Sequence, residues 1–135
     1  MQCVLEKLVG EQVLVRSLLG LPLDTTIIDV RDFLLFTTNG VIPICNVPGV
    51  EYFNPSIDIK LKDLRKSSGE CACCEDPLAN FLKTKIGQFI SLEYIQSTPL
   101  TGGTITGVGE GILLLDESPT IWGAYSLCNI TRVIQ

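Results

Sequence analysis

The segment ICNVPGV, residues 44–50, is matched near the end of the chain by LCNITRV, residues 127–133. In both segments an aliphatic residue, a cysteine and an asparagine are followed by a second aliphatic residue, and a valine comes three residues later. Three more pairs of segments match in the same order: residues 8–15 with 85–92, 26–30 with 104–108, and 33–36 with 111–114. Chance explains one match between apolar runs far better than four in order. The sequence therefore predicts an internal repeat.

Each copy of the repeat has the pattern of a short helix followed by strands. Apolar residues recur at helical spacing ahead of Gly10 and again ahead of Gly87, where Asp76 is a suitable N-cap and Pro77 a suitable first helical residue. After each glycine, apolar residues alternate as on one face of a strand. We therefore expect one short helix and about five strands in each copy.

Turn signals separate the expected strands. Asn39-Gly40 is typical of a tight hairpin, whereas the second copy has residues 117–123 at this place, which we expect to form a longer loop that carries Trp122. Small, strongly bent antiparallel sheets of about five strands usually close into barrels. The predicted fold class is therefore mainly β, with two tandem small barrels.

These patterns resemble the Sm-like (SH3-type) barrel family, and most closely the small Sm-like proteins of spore-forming Firmicutes. The resemblance implies a first Sm-like barrel at residues 1–53, a linker at 54–76 and a second barrel at 77–135. Within the linker, residues 57–61 alternate between apolar and polar and are expected to form an extra strand. Sm proteins that bind RNA carry an acidic residue with an asparagine, and an Arg-Gly pair. The matching stretches here, residues 29–33, 107–111, 45–46 and 128–129, lack the first-motif asparagine and the Arg-Gly pair.

Composition excludes several functional classes. The chain has 135 residues, a net charge of −5, six cysteines and no histidine. An acidic surface disfavours nucleic acid, because phosphate contacts need Lys or Arg. Without histidine there is no Ser-His-Asp or Cys-His catalysis. No carboxylate pair has the spacing of a general acid and base, and Glu51, Glu93, Asp116 and Glu117 are expected to be solvated. We therefore expect no enzymatic activity and no cofactor.

The cluster Cys71, Cys73 and Cys74 allows four interpretations that the sequence leaves open. The thiols are a redox pair, ligands of a metal, cross-links between neighbouring molecules, or free thiols without a role. Cys45 and Cys128 lie between aliphatic residues and are expected to be small buried residues of the last strand of each copy. Trp122 is a candidate contact residue, or else it covers the end of a barrel.

The unpaired edges of bent sheets favour association, so we expect a homo-oligomer that forms through strand edges. The leading hypothesis is a structural or assembly protein of a bacterial spore coat or related layer, with other coat proteins as further candidate partners. The chain has neither an apolar run of membrane-spanning length nor the pattern of a secretory signal, which favours cytoplasmic synthesis followed by deposition on the spore surface. The alternatives are an Sm-like module that binds RNA or a peptide, and a metal-thiolate protein.

Overall fold

The computed structural model describes residues 1–17, 21–61, 72–95 and 101–135, and the side chains of residues 72–76 are not described. The first half contains α1 (Gln2–Glu6), β1 (Gln12–Arg16), β2 (Leu23–Arg31), β3 (Leu34–Thr37), β4 (Gly40–Pro43), a first 3₁₀ turn (Ile44–Asn46) and β5 (Gly49–Tyr52). The second half contains α2 (Ala72–Lys83), β6 (Phe89–Tyr94), β7 (Thr101–Gly109), β8 (Ile112–Ser118), β9 (Ile121–Ser126), a second 3₁₀ turn (Leu127–Asn129) and β10 (Ile130–Ile134). Both halves thus have the same order of elements.

The internal repeat is confirmed by backbone hydrogen bonds that occur at matching residues. The matched pairs of donors and acceptors are Gly10 N–H to Ile27 O (2.8 Å) and Gly87 N–H to Ile105 O (2.8 Å), and Ile44 N–H to Phe33 O (2.9 Å) and Leu127 N–H to Gly111 O (2.8 Å). The irregularity in β2, between Ile27 and Asp29, also recurs in β7 between Ile105 and Gly107. Residues at matching positions of the two halves are called counterparts below.

The β2–β3 and β7–β8 hairpins turn through the same unusual backbone geometry. Asp32 and Phe33 have φ angles of 51° and 58°, and their counterparts Glu110 and Gly111 have 51° and 73°. Two successive positive φ angles in a two-residue loop define the turn type that matches the twist of antiparallel strands. Glycine adopts this conformation without strain, whereas an aromatic residue such as Phe33 does not.

The ten strands of the described ranges form one antiparallel sheet in the order β10-β6-β7-β8-β9-β5-β1-β2-β3-β4. The last strand of each half lies beside the first, and the two halves join where β5 pairs with β9. The mainly β class is therefore confirmed. Within the described residues the sheet is open, with β10 and β4 at its ends, so the predicted pair of closed barrels is not confirmed. In the first half, the second edge of β5 pairs with β9 of the other half and not with β4.

Two apolar cores lie on this sheet, one in each half. The second is built from residues of the second half alone, including Ala79 and Leu82 of α2. The first also contains Ile112, Leu114 and Ala124, which come from the β8–β9 hairpin of the second half. The hairpin therefore completes the core of the first half.

Three local predictions differ from the structure. The helix α2 begins at Ala72, not at Pro77, which lies inside it; the lost hydrogen bond is offset by burial of Ala79 and Leu82. Residues 57–61 alternate in burial as expected but form no strand, since no strand pairing is found for them within the described ranges. The expected loop at 117–123 is only a tight turn between β8 and β9, because these two strands are longer than β3 and β4.

The strained backbone at Phe33 predicts a change in the free energy of unfolding when this residue is replaced by glycine. Phe33 is 73% exposed, so replacing it removes little buried surface. We expect Phe33→Gly to raise the free energy of unfolding by about 1 kcal/mol, because glycine adopts the positive φ without strain. The reverse change in the other half, Gly111→Phe, should lower it by a similar amount. Urea unfolding measures the free energy of unfolding of both variants. A Phe33→Gly variant that is less stable than the wild type would contradict the assignment of backbone strain to Phe33.

Candidate functional site: the junction and the open edges

The β5–β9 pairing forms the junction between the two halves. Its residue pairs are Gly49 with Tyr125, Val50 with Ala124, Glu51 with Gly123, and Tyr52 with Trp122. The Ser126 N–H also donates to the Pro48 carbonyl at 2.8 Å. Val50 and Ala124 are fully buried. The halves are therefore held by a hydrogen-bonded ladder with an apolar centre.

Tyr125 fixes how the two strands meet. Its side chain is completely buried, and its ring lies 5.4 Å from that of Tyr94, measured between ring centroids. The ring fits because Gly49, directly opposite, has no side chain; a Cβ there would lie 2.5 Å from Tyr125 Cδ1. Gly123 leaves space on the other side in the same way. The register of the junction thus depends on a large residue between two glycines.

A buried polar network surrounds the Tyr125 hydroxyl. The hydroxyl lies 2.5 Å from Glu117 Oε1 and 3.3 Å from Glu51 Oε1. Arg16 forms an ion pair with Glu51, with its Nε 2.8 Å from the carboxylate oxygen. The expectation that Glu51 and Glu117 are solvated is wrong: Glu51 is 5% exposed, and both carboxylates contact one phenol. The single hydroxyl proton can be donated fully to only one of the two carboxylates, and the shorter distance is to Glu117.

Burial governs the titration of this network. Burial raises the pKa of Glu117 to about 7, an effect that the hydrogen bond from Tyr125 partly opposes. Burial also raises the pKa of Tyr125, and the nearby Glu117 and Glu51 carboxylates raise it further. For Arg16, burial lowers the pKa, but the hydrogen bond and charge of Glu51 outweigh it, so the net pKa is raised. Arg16 therefore stays charged beside Glu51.

Trp122 lies in β9 and not in the predicted loop. Its half-buried ring stacks on Tyr52 across the junction, with 6.1 Å between ring centroids and 27° between ring planes. It also packs against the core of the first half. Trp122 therefore contributes to the junction within the chain.

Of the cysteines discussed above, two lie in a different environment from the one expected, and three are not tested. Cys71 lies outside the described residues, and Cys73 and Cys74 belong to α2 without described side chains, so the hypotheses on this cluster remain untested. Cys45 is exposed and Cys128 half-buried, each in a 3₁₀ turn, so their prediction as buried strand residues is wrong. Among the residues that the structure describes, no disulfide and no group of three or more Cys, Asp or Glu suited to a metal ion is found.

The open edges β4 and β10 are the counterparts of the paired strands β9 and β5. Val41, which is 55% exposed, corresponds to the fully buried Ala124. Val133, half-buried on β10, corresponds to the fully buried Val50. Leu34 and Phe36 are likewise half-buried, whereas their counterparts Ile112 and Leu114 lie in the core of the first half. The buried side chains of the junction thus have counterparts that are exposed or half-buried at both ends of the sheet.

An apolar groove accompanies the β10 edge. It has a volume of about 290 Å³ and lies between α2 and the end of the chain, lined mainly by Leu78, Phe81, Leu127, Ile130 and Val133. The counterparts of Leu127, Ile130 and Val133 are Ile44, Val47 and Val50, all buried in the first half. The groove therefore occupies the position at which the β8–β9 hairpin packs on the first half.

Comparisons with known proteins give no identification: no family model matches the chain, and no significant match is found among curated proteins or solved structures. The resemblance to Sm-like proteins stays a prediction from the sequence. Within the described ranges, neither helix has the length and apolar character needed to cross a bilayer.

The glycine opposite Tyr125 is the basis of a first test of the junction. Gly49→Ala should lower the free energy of unfolding by about 2 kcal/mol, because the new Cβ overlaps a fully buried ring. Gly107→Ala is the control: its Cβ would lie 3.3 Å from Leu114 Cδ1, the end of a flexible side chain. Chemical unfolding of both variants measures the difference, and equal effects would refute the tight fit at Gly49.

The network predicts a pH dependence of stability. Because the pKa of Glu117 in the folded protein lies above its ordinary value of 4.5, the folded protein retains a proton that the unfolded chain loses. The stabilisation is complete below pH 4.5 and is lost as the pH rises through about 7. Its size is about 1 to 2 kcal/mol, allowing for partial exposure of the carboxylate.

The matched variants for this test are Glu117→Gln and Asp116→Asn. Glu117→Gln keeps an acceptor for Tyr125 but does not ionise, so its melting temperature should fall less than that of the wild type between pH 5 and pH 8. Asp116 is the exposed neighbour, and Asp116→Asn should keep the wild-type dependence. A Glu117→Gln profile parallel to the wild type would show that Glu117 does not control this range.

Proposed function

We propose that this protein is a non-enzymatic assembly protein whose copies join head to tail, with β4 of one copy added to β10 of the next. In this proposal each half is a small Sm-like barrel unit, and one chain supplies two consecutive units of a ring or filament. The observation that supports it is the β5–β9 junction, which joins the two kinds of strand that remain open at the ends of the sheet.

The repeat specifies the register of the proposed contact. In the proposed contact, Val133 pairs with Val41 of the next copy, as Val50 pairs with Ala124 at the junction. Arg132 likewise pairs with Ile42 of the next copy, as Gly49 pairs with Tyr125. The groove beside β10 would receive the apolar residues of the β3–β4 hairpin, as the first core receives those of β8 and β9. A second copy is therefore the occupant with the complementary shape and the free strand edge.

The contact between chains should be weaker than the junction within the chain. Pro43 is the counterpart of Ser126 and lacks the N–H that Ser126 donates to Pro48. Ile42 and Arg132 replace Tyr125 and Gly49, so the buried polar network has no equivalent there. Association of two chains must also offset the translational and rotational freedom that they lose. The two halves of one chain lose less of this freedom when they pair, because they are covalently joined. We therefore expect reversible assembly in the micromolar range, stabilised when a ring closes.

We place this assembly in a protein layer such as the spore coat, made from cytoplasmically synthesised chains. The support for this location is the family resemblance and the thiol-rich segment at residues 71–74. Edge-to-edge addition of repeated units is suited to a layer, since every added chain presents a new open edge.

The test uses the backbone N–H of Val41. The Ser126 N–H points across the junction to Pro48. Because N–H groups alternate in direction along a strand, the Ala124 N–H, two residues earlier, points the same way. The N–H of its counterpart Val41 therefore points to the open edge of the sheet. Val41→Pro removes this donor at the open edge while leaving the inward pairing with β3. Val41→Thr keeps the donor and the branched shape.

Sedimentation velocity at tens of micromolar distinguishes the variants. The wild type and Val41→Thr should sediment as particles larger than one chain, and Val41→Pro as a single chain with an unchanged circular dichroism spectrum. Assembly of Val41→Pro equal to the wild type would exclude the β4 edge. A wild type that is strictly monomeric would exclude the proposed function.

A further inference from the structure

The two 3₁₀ turns bring two cysteines to one cavity. Cys45 and Cys128 are the central residues of the turns, and both line a cavity of about 570 Å³. The bond from Ser126 N–H to Pro48 O explains why the turns meet: Cys45 precedes Pro48 by three residues, and Cys128 follows Ser126 by two. The junction between the halves therefore assembles a pair of thiols from distant parts of the chain.

The side chains around this cavity offer both sulfur and oxygen atoms as donors. Its other lining residues are Met1, Gln2, Ser126, Asn129 and the apolar Phe33, Ile44 and Val47, and none of the lining side chains is charged. Ca²⁺ and Mg²⁺ are usually held by carboxylates, and none of the lining side chains is a carboxylate. Zn²⁺ prefers four nitrogen or sulfur ligands. Thiolate ligands are soft donors, and soft donors favour Cu(I).

We propose that this cavity binds one Cu(I) ion between the Cys45 and Cys128 thiolates. Two thiols each lose a proton and form a sulfur–copper bond, so that binding releases two protons without a change in the oxidation state of copper or sulfur. Cys45 Sγ now donates a weak hydrogen bond to Asn46 Oδ1 over 4.0 Å, and this proton is one of those displaced. The exposure of Cys45 gives the ion a route to the site from solvent.

The proposal does not depend on assembly, because both cysteines belong to one chain. It also differs from metal binding by Cys71, Cys73 and Cys74, which has to be removed from the measurement. The test therefore uses the full chain with Cys71→Ser, Cys73→Ser and Cys74→Ser. Cu(I) is supplied anaerobically as its bicinchoninate complex, and loss of colour reports transfer to the protein.

This chain should take up one equivalent of Cu(I), and the uptake should be lost when Cys45→Ser or Cys128→Ser is added. Cys3→Ser is the matched control, since Cys3 is exposed in a different cavity and should leave uptake unchanged. Uptake should weaken as the pH is lowered, because protons compete with the metal. Equal uptake by the Cys45→Ser/Cys128→Ser variant would overturn the site.

A second measurement covers the case in which the serine background does not fold. The wild-type chain should bind one more equivalent than its Cys45→Ser/Cys128→Ser variant, and Cu(I) should raise its melting temperature more, because the ion links the two halves. No difference in stoichiometry or in melting temperature would overturn the proposal. If Cu(I) binds and the wild type remains monomeric, the metal site stands and the assembly function falls.

Discussion

The close fit of Tyr125 between Gly49 and Gly123 is the constraint on which the rest of the structure depends. It fixes β9 against β5 in one register, and this pairing turns two five-stranded halves into one sheet. A shift by one residue would direct every side chain of the strand to the opposite face. It would also oppose the Tyr125 ring to a residue with a side chain. The same register places the two 3₁₀ turns side by side and delivers Ile112, Leu114 and Ala124 to the core of the first half.

The polar network adds selectivity to this pairing. Glu51, Glu117 and Tyr125 meet only when β5 and β9 pair within the chain, and Arg16 balances the charge of Glu51. The edge strand β10 has Arg132 and Ile134 where β5 has Gly49 and Glu51. Pairing of β9 with β10 of another copy would therefore oppose Tyr125 to a long charged side chain. The difference favours pairing within the chain at β5 and leaves β10 for a different strand.

The repeat and its hairpins were accessible from the sequence because they depend on local patterns. Matching glycines, alternating apolar residues and the repeated Cys-Asn segments indicated the element order, which the structure confirms. Pairing between the halves was not accessible, because it depends on contacts between residues far apart in sequence. Glu51 looked like a solvated carboxylate, yet it lies between the buried Val50 and Tyr52 in a strand covered on both sides. The apolar residues on either side of Glu51 were the signal for its burial. Gly49 and Gly123 were the signal for the close packing of Tyr125. Residues 57–61 show the converse: apolar alternation predicted their burial, but strand formation also needs a pairing partner.

Hydrogen–deuterium exchange at two protein concentrations tests most directly whether the junction is a template for contacts between copies. Amides of β5 and β9 bond within the chain, so their protection should be the same at both concentrations. Amides of β4 and β10 that face the open edges should exchange fast in dilute solution and become protected in concentrated solution. Exchange in β4 and β10 that is fast at both concentrations, or protection that appears only elsewhere on the surface, would contradict the account.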